Sequence, residues 1–261
     1  VLIAYTRTHG LFPHYAPRIA LLHAHLAHAL HNAPRAGRCY AIAAALAKAG
    51  SEIHASALAG AAALDIGLAA EEGRAPDEDT RKRVKEAARA CRGNGTALDA
   101  IAELLESVLA SSASPAHTPA AGAPAHEGGS IVLAKRFLKQ ALDRATRARD
   151  NQLRALVLAL VGAHYVHTAG AEAAAMLRSA RQLAASLGAP AARGQGDAVG
   201  NAVLGQSVGE RYLELYRRAG DEASARKQAS ANTRLARAVD QLKERGRALD
   251  RPAVTEDDSA T

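Results

Sequence analysis

Tryptophan is absent from this 261-residue chain, and rings are few, with two Phe and six Tyr. So small an aromatic content argues against the stacking platforms that hold single-stranded nucleic acid. It also leaves the core without its usual large anchors, so stability has to come from many small contacts. Cysteine is limited to Cys39 and Cys91, both in helix-forming sequence. Two such cysteines make no disulfide framework and fit a reducing compartment. No apolar run reaches the roughly 18 residues of a membrane span. The best candidate, 155–166, follows Arg154 and reads as a buried helix. No phosphate loop, paired-carboxylate helix motif or metalloprotease motif occurs. Gly194, Gly196 and Gly200 have the wrong spacing for a dinucleotide loop, and no strand precedes them.

What fills the chain instead is Ala, Leu and Arg. The first two are strong helix formers, while β-branched residues are scarce, so the fold class read from the sequence is all-α. The formal net charge is +7, which permits contact with nucleic acid or an acidic partner. Its densest clusters are Arg81, Lys82, Arg83, Lys85, Arg89, Arg92 and Lys135, Arg136, Lys139, Arg144, Arg147, Arg149. Solvated outer faces of helices account for both, and a sequence-independent phosphate contact stays open. The chain opens on Val1 within structured sequence, so a piece of a longer protein is expected.

Two stretches repeat one spacing: Ala36, Tyr40, Ala43 and Ala134, Leu138, Ala141. Steps of four and three stay on one helical face. The small residues let a neighbouring helix approach, and the bulky one fills the gap. Ala173, Leu177 and Ala180 fit if the preceding turn gains one residue; Ala225 and Ala229 fit with Asn232 in the last slot. This is the packing of the second helix in a tetratricopeptide hairpin, a repeat of about 34 residues. Five hairpins follow: 14–31 with 34–48, 51–72 with 79–92, 96–110 with 130–149, 151–168 with 171–187, and 198–218 with 221–247. Asn32-Ala33-Pro34 turns the first. Asp77, Glu78 and Asp79 open a helix where its dipole favours negative charge, and Thr96 with Asp99 reads as a capping box. The expected architecture is a tetratricopeptide-like right-handed superhelix over 12–248. Its disordered insert is 111–129, rich in Ser, Pro, Ala and Gly, and its disordered tail is 249–261.

Three segments go beyond generic repeats: His14-Tyr15-Ala16-Pro17-Arg18, Ala134-Lys135-Arg136-Phe137-Leu138-Lys139-Gln140-Ala141, and Asp150-Asn151-Gln152-Leu153-Arg154 running on through Leu156 and Gly162 to Gly170. With them the chain resembles the cohesin-loading factor family, the tetratricopeptide subunit of the complex that loads cohesin on chromatin, in its fungal form. The resemblance implies a carboxy-terminal part of that subunit, nuclear and without catalytic residues. It implies a superhelix wrapped around an amino-terminal segment of the large HEAT-repeat loader subunit. The insert and the weak fifth repeat depart from that pattern.

Counting back from Ala36 places Arg18, His25 and His28 on the inward face of the preceding helix. The same count from Ala225 gives Ser207, Glu210, Glu214 and Arg217, and the fourth hairpin adds His167. Such residues suit an extended peptide. His23, His25, His28 and His31 crowd one helix without a carboxylate or cysteine partner on it, so no metal or cofactor is expected. The functional expectation is a non-catalytic scaffold for the HEAT-repeat loader subunit. The alternative is a tetratricopeptide-type ligand-sensing or interaction domain of a transcription regulator.

Overall fold

The computed structural model describes residues 2–112, 127–187 and 201–250, and every regular element among them is a helix. The helices are α1 (Leu2–Thr8), α2 (Phe12–Ala29), α3 (Ala33–Leu46), α4 (Glu52–Glu71), α5 (Glu78–Cys91), α6 (Thr96–Ser112), α7 (Glu127–Arg147), α8 (Asn151–Tyr165), α9 (Gly170–Ser186), α10 (Ala202–Ala219) and α11 (Glu222–Ala248). Their starts follow local chemistry. The side chains of Asn32, Ser51, Asp77, Asp150, Asn201 and Asp221 each accept the backbone N–H three residues on. Each thereby satisfies a donor that the first helical turn leaves unpaired. The expected box at Thr96 is shifted: Asp99 reaches back to the N–H of Gly93 (2.8 Å).

From α2 onward the helices pair into five hairpins, and each second helix also packs on the first helix of the next pair. The even-numbered helices touch one another in sequence, α2 to α4 to α6 to α8 to α10. They form a continuous row, and the odd-numbered helices pack against it.

The small-bulky-small spacing builds these joints. Ala36, Tyr40 and Ala43 are buried, as are Ala134, Leu138, Ala141 and Ala173, Leu177, Ala180. The second hairpin uses the same spacing at Thr80, Val84 and Ala87, all buried; a threonine in the first slot hides it in the sequence. Each bulky residue needs a flat place to lie. A Cβ on Gly60 of α4 would collide with the Tyr40 ring, and one on Gly162 would stand 2.8 Å from Leu177 Cγ. The fifth joint is polar instead: Gln228 Nε2 donates to Asn232 Oδ1 (2.8 Å), and Asn232 lies over Gly209.

Three expectations change. The insert 111–129 has helical edges, since α6 runs to Ser112 and α7 starts at Glu127; its centre lies outside the described residues. The tail 249–261 begins anchored: Arg35 donates to the Leu249 carbonyl (2.5 Å), and Asn32 Nδ2 donates to Asp250 Oδ2 (2.6 Å) and to the Gly246 carbonyl (2.9 Å). The rest of that tail, 251–261, lies outside the described residues. The end of the long α11 thus rests on the α2–α3 turn, joining last hairpin to first. Finally, α4, not 155–166, is the one described helix long and apolar enough to cross a membrane. Here it packs against α2, α3, α5 and α6, and its Asp65 pairs with Arg83 of α5 (2.8 Å).

Candidate functional site

The candidate residues fall into two groups, on the even helices or, for His167, just past one. In the first hairpin, Arg18 is exposed on α2. About two turns further along, His25 Nδ1 and His28 Nδ1 both lie 3.1 Å from the Tyr40 hydroxyl. One hydroxyl hydrogen serves only one of these rings. The other ring must therefore donate its own N–H, and the two imidazoles hold opposite tautomers. Burial keeps both His25 and His28 below the ordinary imidazole value, and the neighbouring His25 and His31 rings lower His28 further. Burial also pushes the Tyr40 hydroxyl up to about 12. The histidines that sequence spacing read as trough lining are thus partly spent on tying α2 to Tyr40 of α3, within the first hairpin. Nothing in the spacing of α2 alone announces that tie, because Tyr40 arrives from α3. Among the described residues no group of three or more His, Cys, Asp or Glu lies close enough to hold a metal ion.

The second group spans the last two even helices. His167, just past α8, places Nε2 3.0 Å from Glu214 Oε1, while Arg211 donates to Glu214 Oε2 (3.1 Å). Glu210, one turn earlier, accepts from Gln206 (3.2 Å). Ser207 and Arg217 are exposed on the same helix. Glu210, Leu213, Glu214, Arg217 and Arg218 line an open depression of about 360 Å³. Three predicted residues therefore line it, Glu210, Glu214 and Arg217, and His167 reaches one of them, Glu214. An open wall carrying both carboxylates and guanidinium groups suits hydrogen bonding to a peptide better than enclosure of a small molecule.

Sequence counting missed the large apolar residues exposed on the even helices. Leu22 and Leu26 of α2, Leu68 of α4, Leu156 of α8 and Val203 of α10 are large and exposed. Read as a period in each helix they were available, since Leu22 and Leu26 are four apart and flank His25.

Compared with protein-family models, curated proteins and solved structures, the chain matches none.

Proposed function

We propose that this chain is a non-catalytic scaffold whose row of even helices holds an extended segment of a larger protein. The observation that carries the reading is the row itself. Five even helices touch in sequence, and four of them carry exposed large apolar residues, Leu22 and Leu26 of α2, Leu68 of α4, Leu156 of α8 and Val203 of α10, alongside the exposed polar groups Arg18, Ser207, Glu210 and Arg217. An extended chain seated along it would bury alternate apolar side chains and hydrogen-bond in between. Its ordering entropy offsets part of the gain, so affinity rests on many small contacts.

In its finer form the proposal follows the sequence resemblance. The hairpins form a tetratricopeptide-like right-handed superhelix, the partner is the amino-terminal segment of the HEAT-repeat cohesin loader subunit, and the setting is nuclear chromatin during sister-chromatid cohesion. The open depression at α10 speaks for this over a ligand-sensing regulator domain, which needs a bounded pocket. Affinity capture of the tagged protein from its native cells, followed by mass spectrometry, tests the proposal. Recovery of a very large HEAT-repeat protein in equal amount supports it, and its absence from several captures refutes the finer form. Arg18→Glu with Arg217→Glu should weaken that capture while the circular dichroism spectrum stays unchanged. Undiminished capture would remove these residues from the interface.

A further inference from the structure

Charge divides between the two sets of helices. The five second helices of the hairpins, α3, α5, α7, α9 and α11, carry twenty-one Lys and Arg against nine Asp and Glu. The five first helices carry five against eight, and α4 and α6 contain no Lys or Arg at all. The carboxylates of the first helices are used where the sets meet. Asp65 takes Arg83, Glu106 takes Arg92 (2.9 Å), and Asp99 with Glu103 takes Arg144 (2.9 and 3.4 Å). Lys82, Lys85 and Arg89 are exposed along α5, and Arg136, Lys139 and Arg147 along α7, none of them in an ion pair among the described residues. Glu86 and Asp143 are the exposed carboxylates interspersed with them.

We propose that these odd helices form one basic surface that binds the phosphate backbone of a nucleic-acid double helix. With packed helix axes roughly 8–10 Å apart, charges on successive hairpins extend over several tens of Å. That reach is far beyond a single phosphate group and calls for a polyanion. A duplex offers the densest one, about one charge per 1.7 Å of axis, and releases counterions when it is neutralised. Single strands are the poorer fit, because α5, α9 and α11 contain no aromatic residue on which a base would stack. The contact reads no sequence, since it uses only phosphate partners. It is independent of the even-helix row and stands or falls separately from the proposed peptide partner.

The test is fluorescence anisotropy of a labelled 40-base-pair mixed DNA duplex with the whole chain, from 50 to 200 mM salt. Binding should weaken linearly on logarithmic axes, with a slope of about −0.9 for each phosphate engaged. The triple variant Lys82→Glu, Lys85→Glu, Arg89→Glu should lose at least about tenfold in affinity at 50 mM salt and flatten that slope by roughly two to three. Its circular dichroism should match the parent. If it does not, the triple Arg136→Glu, Lys139→Glu, Arg147→Glu takes its place. Arg217→Glu on the even-helix row should stay within about twofold. Absence of binding at 50 mM salt would overturn the proposal, as would equal affinity of a well-folded triple variant or an equal loss in Arg217→Glu. So would polyglutamate competing as well as DNA at equal charge, which would point to an acidic peptide instead.

Discussion

At the scale of single residues, the joint between the first two hairpins depends on a missing side chain. Tyr40 is 1% exposed, and its ring lies where a Cβ of Gly60 would stand. Gly60→Ala must therefore displace a buried ring that also holds two imidazoles, at a cost of about 1–3 kcal/mol by overpacking. Gly67 on the same helix has nothing within 4 Å of its would-be Cβ. Gly67→Ala should stabilise by roughly 0.5–1 kcal/mol, through helix propensity alone. Urea midpoints of the two variants should move in opposite directions, and a common direction would refute the account of Tyr40. Buried imidazoles, two of them in this cluster, also set a pH dependence. His25, His28 and His164 are held below the ordinary imidazole value mainly by burial, and His31 by burial and the nearby Lys243 charge. Between their folded values and the unfolded value near 6.5, the unfolded chain binds more protons than the folded one. Stability is therefore complete above about pH 6.5 and falls as pH drops through the lowered values. Carboxylates such as Asp77 and Asp221, lowered by their cap hydrogen bonds, stay ionised across this window. A urea midpoint that is constant from pH 7.5 to 5 would contradict the buried state of these rings.

At the scale of elements, Asn32 has two tasks that chemistry can separate. Its Oδ1 caps α3 by accepting from Arg35 N–H (3.1 Å), and its Nδ2 holds the end of α11. Asn32→Asp keeps the cap acceptor but loses the donor and sets a carboxylate against Asp250. Labels at positions 38 and 244, with Cys39 and Cys91 replaced by alanine, should report one narrow, short distance in the parent and a longer, broader one in Asn32→Asp. An unchanged distribution would show that Asn32 does not hold the closure. Asn201→Ala, which removes only a cap from α10, should cost about 1 kcal/mol and leave the distance alone. The caps were readable in the sequence because an Asx or Ser side chain reaches its own backbone three residues on. The alanine notches were equally readable at 36, 40, 43 and at 134, 138, 141, since helical geometry fixes the face. Thr80, Val84 and Ala87 escaped notice because a small polar residue does the work of alanine there. The His25–Tyr40–His28 tie escaped because it joins two helices rather than two turns of one.

At the scale of the whole molecule, the features that sequence left hidden all need the order of helices in space. The basic clusters were visible as residues, yet only the alternation of even and odd helices gathers them on one set. The closure was invisible altogether: Asn32 and Gly246 stand 214 residues apart, and no local spacing foretells such a pair. Its consequence is a change in which end frays. In an open row of repeats, each terminal hairpin has one neighbour and opens first. Here the first hairpin has a second support, since Gly246 comes so close to the Leu30 carbonyl that a Cβ there would collide with backbone. Gly246→Leu should break that contact without touching the α10–α11 joint, which is built from residues around Ala225, Gln228 and Asn232. Amide hydrogen exchange in α2 and α3 should then accelerate by about tenfold or more, corresponding to roughly 1.4 kcal/mol of lost local stability. Exchange in α8 and α9, three hairpins along, should be unaffected. If α2 and α3 exchange at the parent's rate in this variant, the last helix does not support the first hairpin in solution, and the row behaves as an open stack.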